Sequence, residues 1–309
     1  MTTMTFSSTI RRALAGLTTF CALSAIPIPV VATAQGITPT TTQTAPVLQA
    51  FNSARVSSAQ ATFDGIAAIH NCSAALVRLA GARDTDNALL LTNGHCVAAK
   101  VPKPGEVVLN EDMRRADQHL RSVTLLKGEP PTRAATAHMT KVHYATMTGT
   151  DLALIEIDKS YLTLRLTGVH PREIAPAGAT AGTKVSIPSG YLGTAPTCTV
   201  DAVVPTLVTA GYRWNNEMRY ASGCATRPGS SGAPMIDEAT GKIVGINNSG
   251  FARIDDCTPE DPCGEVWGNE QPVPILGARY GAQAAPLTGC VSEGKFSLQT
   301  PGCTLAKPE

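Results

Sequence analysis

From about residue 64 the chain alternates short apolar runs with turn residues. The runs are AALVRLA, ALLLTN, EVVL, SVTLLKG, DLALIEID, KVSIP, CTVDAVVP and KIVGINN, and Gly, Pro and Asn recur between them. None exceeds the length of an ordinary strand, and most are too short for a stable helix. Within LALIEI, Leu152 to Ile157, apolar positions alternate around one charge at Glu156, the pattern of a half-buried strand. The spacing predicts an all-β barrel or sandwich rather than a helical fold. One segment breaks the pattern: PILGARYGAQAA, from Pro274, reads as a C-terminal helix. The stretch PREIAPAGATAGT, residues 171–183, reads as a crossing between two halves, and no tandem repeat is visible.

Composition narrows the class. The chain has 309 residues, 43% hydrophobic and 16% charged, enough for a sizeable core. Its 25 basic residues nearly balance 24 acidic ones, and no basic stripe stands out, so nucleic acid is not an expected partner. The N-terminus carries Arg11 and Arg12, then the apolar run ALAGLTTFCALSAIPIPVV, then small residues at Ala32 to Ala34. That order predicts a signal peptide over residues 1–34, cleaved before Gln35, leaving a secreted protein with no stable membrane association. An uncleaved anchor is disfavoured by Pro27 and Pro29 near the end of the run. Residues 35–63 are rich in Thr, Ser, Ala and Pro and read as a pro-segment or an N-terminal arm.

Removing the signal leaves eight cysteines: Cys72, Cys96, Cys198, Cys224, Cys257, Cys263, Cys290 and Cys303. An even number in an exported chain implies disulfides, and no pair has C-x-x-C spacing, so no metal site is expected from them. Asp255, Asp256, Glu260 and Asp261 lack ordered calcium-ligand spacing and read as a solvated acidic loop.

Three segments carry candidate chemistry. LLLTNGHCV places His95 just after an apolar strand and beside Cys96; TGTDLALIEI places Asp151 at the start of another; GCATRPGSSGAP holds Ser230 and Ser231 between glycines. Alone, each has a plainer reading: a loop histidine beside a disulfide, a turn aspartate, a turn serine. Together, in the order His, Asp, Ser on an all-β pattern, they resemble the chymotrypsin/trypsin-like serine peptidases over roughly residues 64–285, nearest the bacterial trypsin-like and glutamyl-endopeptidase branch. TNGHC, D-L-A-L and G-S-S-G-A-P stand where the family commonly has TAAHC, D-[IL]-A-L and G-D-S-G-G-P.

The resemblance implies two six-stranded antiparallel β-barrels with the active site between them. It implies Ser231 as nucleophile, His95 as general base, and Asp151 as the acid that orients the imidazole. The backbone N–H groups of Gly229 and Ser231 would form the oxyanion hole. It also implies a Cys72–Cys96 disulfide flanking the histidine. His70, His119, His138, His143 and His170 lack such contexts and read as surface or packing residues.

Departures from the family pattern set further expectations. Ser230 replaces the aspartate that in many trypsins pairs with a new N-terminal amine, so activation by that insertion is not expected. The favoured pairings are Cys198–Cys224, Cys257–Cys263 and Cys290–Cys303, with Cys224–Cys257 as the competitor. The last pair would close a C-terminal tail over residues 286–309. In the trypsin branch the acid that binds basic side chains lies six residues before the nucleophile; here that position is Ala225. Ala225, Thr226, Asn247 and Gly250 are the expected substrate contacts, and Thr226 and Arg227 favour a polar or acidic side chain over a basic one. Glutamyl-specific relatives carry a histidine where Asn247 stands, which leaves Glu specificity as the lesser alternative.

The sequence thus predicts a secreted, monomeric serine endopeptidase acting on protein or peptide substrates without a cofactor. The rival reading is a non-catalytic binding protein that keeps the fold; its usual sign, loss of a triad residue, is missing. An esterase would require a G-x-S-x-G elbow and alternating strands and helices, and neither is present.

Overall fold

The computed structural model describes residues 62–250 and 263–308. The predicted signal peptide, most of the pro-segment, Cys257 and the acidic loop residues lie outside them. The predicted runs all fall on strands. They comprise β1 (Ile66–Ile69), β2 (Cys72–Val77), β3 (Asn87–Thr92), β4 (Val107–Asp112), β5 (Ser122–Lys127), β6 (Thr132–Thr146) and β7 (Leu152–Ser160) in the first half. The second half holds β8 (Lys184–Ser186), β9 (Thr197–Thr209), β10 (Tyr212–Tyr220), β11 (Pro234–Asp237), β12 (Ile243–Gly250), β13 (Gly264–Val266) and β14 (Arg279–Gln283). Strands β1, β6, β10, β11, β13 and β14 have no counterpart among the apolar runs. Strand β6, TRAATAHMTKVHYAT, is partly exposed over much of its length, so its sequence never becomes a continuous apolar run.

Each half closes on itself. In the first, the order β6-β5-β1-β2-β3-β7 is completed by a β6–β7 pairing, with β4 added outside β6. In the second, β10-β14-β12-β11-β8-β9 is completed by β10–β9, with β13 added outside β9. Both are six-stranded antiparallel barrels carrying one extra strand. The expected helix from Pro274 is instead strand β14, followed by one helical turn at Ala285–Thr288. Antiparallel pairing of Arg279–Gln283 with β10 and β12 overrides the local helical pattern.

Burial explains why the apolar runs are so dense. Along β7, Ala153, Ile155 and Ile157 face the interior of the first barrel, while Leu152 and Leu154 face a second cluster shared with Ile236, Ile243 and Ile246 of the other barrel. Strand β3 behaves alike, with Ala88 and Leu90 inward and Leu89 and Leu91 outward. The second barrel has its own core around Val185, Val200, Met218 and Met235. Residues 171–183 make the crossing: Arg172 N donates to Leu76 O and Ala175 N to Ile243 O, each at 2.8 Å, stitching β2 to β12.

Three disulfides join described residues: Cys72–Cys96, Cys198–Cys224 and Cys290–Cys303. Cys263 is also disulfide-bonded. The last of the three closes the tail, which holds a small hairpin of β15 (Val291–Ser292) and β16 (Lys295–Phe296). The tail is more than an appendage, because Leu287, Cys290, Leu298 and Leu305 belong to the cluster between the barrels. Leu287 is completely buried. Leu287→Ala should therefore lower the unfolding free energy by about 2–5 kcal/mol, as at a core leucine. Urea denaturation checks this, and a change below about 0.5 kcal/mol would mean the tail packs loosely.

Candidate active site

The His95 and Ser231 loops line one cavity, and the Asp151 loop backs His95. His95 lies three residues past β3, in a tight turn where Cys96 N donates to Asn93 O at 3.3 Å and Val97 N to Gly94 O at 3.1 Å. The Cys72–Cys96 disulfide ties that turn to β2. Asp151 immediately precedes β7 and is fully buried. Its loop is docked on the second barrel, since Gly149 N donates to Arg213 O at 3.0 Å and Asn215 N to Gly149 O at 2.8 Å.

The pair is closely fitted. Asp151 Oδ2 lies 2.6 Å from His95 Nδ1, and Asp151 Oδ1 accepts from the His95 backbone N–H at 3.1 Å. A carboxylate only accepts, so Nδ1 carries the proton and Nε2 is left as the basic nitrogen. Asn93 adds a further grip, donating from Nδ2 to the Asp151 carbonyl at 2.9 Å. A side chain at Gly94 would bring its Cβ within 2.2 Å of Thr146 O and 3.0 Å of Asp151 Oδ1, so only glycine lets the two loops close.

The serine loop is braced from both barrels. Ser73 N, on β2, donates to Ser231 O at 2.8 Å, while Gly232 N donates to Asn247 O at 2.9 Å and to Asn93 Oδ1 at 2.6 Å. Gly232 has φ +77°, and a Cβ there would sit 2.0 Å from Ser73 O, so no other residue fits. Ser230 points inward: its hydroxyl donates to Arg227 O at 2.5 Å, and Asn247 Nδ2 donates to its Oγ and its carbonyl, both at 3.1 Å. Ser231 is partly exposed to the cavity, and its hydroxyl donates to Asn248 O at 3.2 Å. Among the described residues, neither the Gly229 nor the Ser231 N–H donates a hydrogen bond.

The cavity measures about 490 Å³ and is lined by His95, Gly229, Ser231, Thr226, Asn247, Gly250 and Arg279, among others. The expected substrate contacts therefore divide. Thr226, Asn247 and Gly250 line the cavity, but Ala225 is exposed and does not. Asn247 is engaged elsewhere, since its Oδ1 accepts from Tyr220 Oη at 3.2 Å while its Nδ2 holds Ser230. It supports the serine loop rather than offering free polar atoms to a ligand. His143 bonds Glu156 at 3.1 Å, and His138 bonds Asp158 at 3.2 Å, both away from the cavity. His70 does line it, 3.2 Å from His119.

Several residues at the site escaped sequence reading. Asn93 was visible within TNGHC but is outside the triad. Glu217 sits in the polar, unremarked stretch YRWNNEMRY. Cys72, His95 and Cys96 cluster closely enough to suggest a metal, but both sulfurs are joined in a disulfide.

Glu217 is fully buried behind Asn248, whose Nδ2 donates to its Oε2 at 3.4 Å, while Oε1 has no partner among the described residues. Burial pushes its carboxyl up to about 8, helped by the nearby negative charge of Asp151 and opposed by the Asn248 bond. Between the ordinary value of 4.5 and about 8, the folded chain keeps a proton that the unfolded chain has released. Stability contributed by this group is thus present below pH 4.5 and falls as pH rises toward 8. Gln has no such titration. The stability of Glu217→Gln relative to the native chain should accordingly grow from pH 5 to pH 8, by at most about 1.4 kcal/mol per pH unit. Paired urea titrations at the two pH values measure it, and a difference that does not change with pH would contradict this account.

Comparison with known proteins identifies the family. The profile of the trypsin-like peptidase domain matches residues 72–246. No curated protein matches the sequence. Among solved structures, a Glu endopeptidase in complex with MPD shares 19% identity over 75% of this chain and 90% of that chain, with a TM-score of 0.44. The active form of the Rv3671c protease from M. tuberculosis shares 14% over 80% of this chain and 84% of its own, with a TM-score of 0.41. The MamO protease domain from Magnetospirillum magneticum shares 15% over 71% and 91% respectively, also at 0.41.

Proposed function

Because the chain belongs to the trypsin-like peptidase family and is a serine endopeptidase, we propose that His95, Asp151 and Ser231 are its catalytic triad and that it works by an acyl-enzyme outside the cytoplasm. The observation that carries the reading is the 2.6 Å Asp151–His95 contact opening on the same cavity as Ser231. A serine hydroxyl is a weak nucleophile near neutral pH, so its proton must leave as the oxygen attacks. Ser231 Oγ turns from the Asn248 carbonyl toward His95 and passes its proton to Nε2. Asp151 stabilises the imidazolium that forms, and the proton then goes to the leaving amine. Negative charge developing on the substrate carbonyl meets the two undonated N–H groups of Gly229 and Ser231.

The site is complete within one chain, which supports action as a monomer, and every step uses side chains and backbone N–H groups without a cofactor. The disulfides fit an oxidising compartment. Among the described residues no helix is long and apolar enough to cross a membrane. The Ser230 network with Arg227 and Asn247 supports a serine loop that is ordered without an N-terminal ion pair.

Ser231→Ala should lower peptide hydrolysis on the order of 10⁴-fold or more, with Ser230→Ala retaining substantial activity. A fluorophosphonate should label the native protein and Ser230→Ala but not Ser231→Ala. Labelling that survives in Ser231→Ala assigns the nucleophile elsewhere. In the native protein, hydrolysis should rise over about pH 6–7.5, where an imidazole ordinarily loses its proton. A rate that stays flat through that interval would exclude a histidine base.

A further inference from the structure

We propose that this peptidase cleaves after acidic side chains, and that Arg279 is the residue that reads the substrate carboxylate. The proposal rests on Ser231 being the nucleophile, because it assigns a role to the wall of the cavity that Ser231 faces.

Arg279 begins β14, opposite Gly250 of β12 in the register. An added Cβ at Gly250 would lie 2.4 Å from Arg279 Nη1, so the missing side chain is what lets the guanidinium lie along this wall. Arg279 Nε is buried with no hydrogen-bond partner among the described residues, and the neighbouring Ser249 Oγ is in the same state. Buried N–H and O–H groups without acceptors are costly, and both of these belong to residues lining the cavity. A ligand oxygen entering the cavity would satisfy them.

Charge decides what kind of ligand. The described lining includes Arg227 and Arg279 and no carboxylate. Ala225, where a trypsin-like acid would stand, is outside it. Glu217 lies behind Asn248 rather than on the wall, and burial keeps it largely protonated near neutral pH. Among the described residues of the lining, a Lys or Arg side chain would meet two guanidinium groups and no anion. An apolar side chain would leave Arg279 Nε and Ser249 Oγ unsatisfied. A carboxylate accepts from both, and guanidinium–carboxylate pairs form strong, charge-assisted hydrogen bonds. Asn247, whose polar atoms are already engaged, is not needed for this recognition.

The test uses purified mature protein and fluorogenic peptides that differ only in the residue before the scissile bond: Glu, Asp, Gln, Leu or Lys. The native enzyme should show kcat/KM for Glu or Asp about 10²-fold above Gln, because a site built to bond a polar group discriminates strongly against a weaker partner. Arg279→Gln should bring the acidic and neutral peptides to near parity, Arg279→Lys should keep part of the preference, and Arg279→Glu should favour Lys. Fluorophosphonate labelling of each protein reports separately on the nucleophile. Native enzyme that labels on Ser231 but prefers Leu or Lys overturns the proposal and leaves the triad standing. So does an acidic preference that persists in a labelled Arg279→Gln. Native enzyme that fails to label overturns both. Should the Arg279 variants not fold, the native preference between Glu and its isostere Gln still decides, and parity there refutes the proposal.

Discussion

Strands β3 and β7 are buried on both faces, and the placement of the site follows from that constraint. Alternate residues of each strand enter the first barrel and the cluster between the barrels. A slip of one residue would move every side chain to the opposite face, exchanging alanines and isoleucines for leucines in two packed cores at once. Both cores resist such a change, so the strand ends are set to within a fraction of a residue. His95 and Asp151 lie just beyond those ends. Their 2.6 Å contact is thus a consequence of burial several residues away, with Gly94 allowing the loops to touch.

The serine loop depends on the same seam from the other side. It accepts hydrogen bonds from Ser73 in the first barrel and Asn247 in the second, and donates one from Gly232 N to Asn93 Oδ1 of the first. Relative movement of the barrels would break these bonds together, coupling integrity of the site to integrity of the seam. The C-terminal tail contributes Leu287, Leu298 and Leu305 to that seam. The Ser230 hydroxyl is satisfied within this region by Arg227 O and Asn247 Nδ2.

Polar groups around the cavity are arranged by sign and depth. Asp151 is buried but holds two N–H donors from His95, so its charge is compensated. Glu217 is buried with one long bond and holds its proton to about pH 8 instead. Arg279 lies at the cavity wall. Among the described residues, the carboxylate at the site is paired with His95, and Arg227 and Arg279 line the cavity.

The sequence alone determined the β architecture, because strand-length apolar runs between turn residues leave no helical alternative for most of the chain. It also picked out His95, Asp151 and Ser231, the proposed triad, because short-range motifs carry residues whose chemistry is interdependent. Strands β6, β10 and β14 were illegible, since they are polar or glycine-containing and are strands only through their neighbours. Arg279 shows the effect most clearly: read locally, it belongs to a helical segment, and pairing with β10 and β12 turns that segment into a strand and brings it to the cavity. Ala225 shows the converse, since counting back from Ser231 places it in the pocket while the loop's path carries it to the surface. Local patterns specify strands and motifs because their physics is local. Which polar atoms end unpaired against a cavity depends on contacts between residues far apart in the chain, and only the tertiary structure decides that.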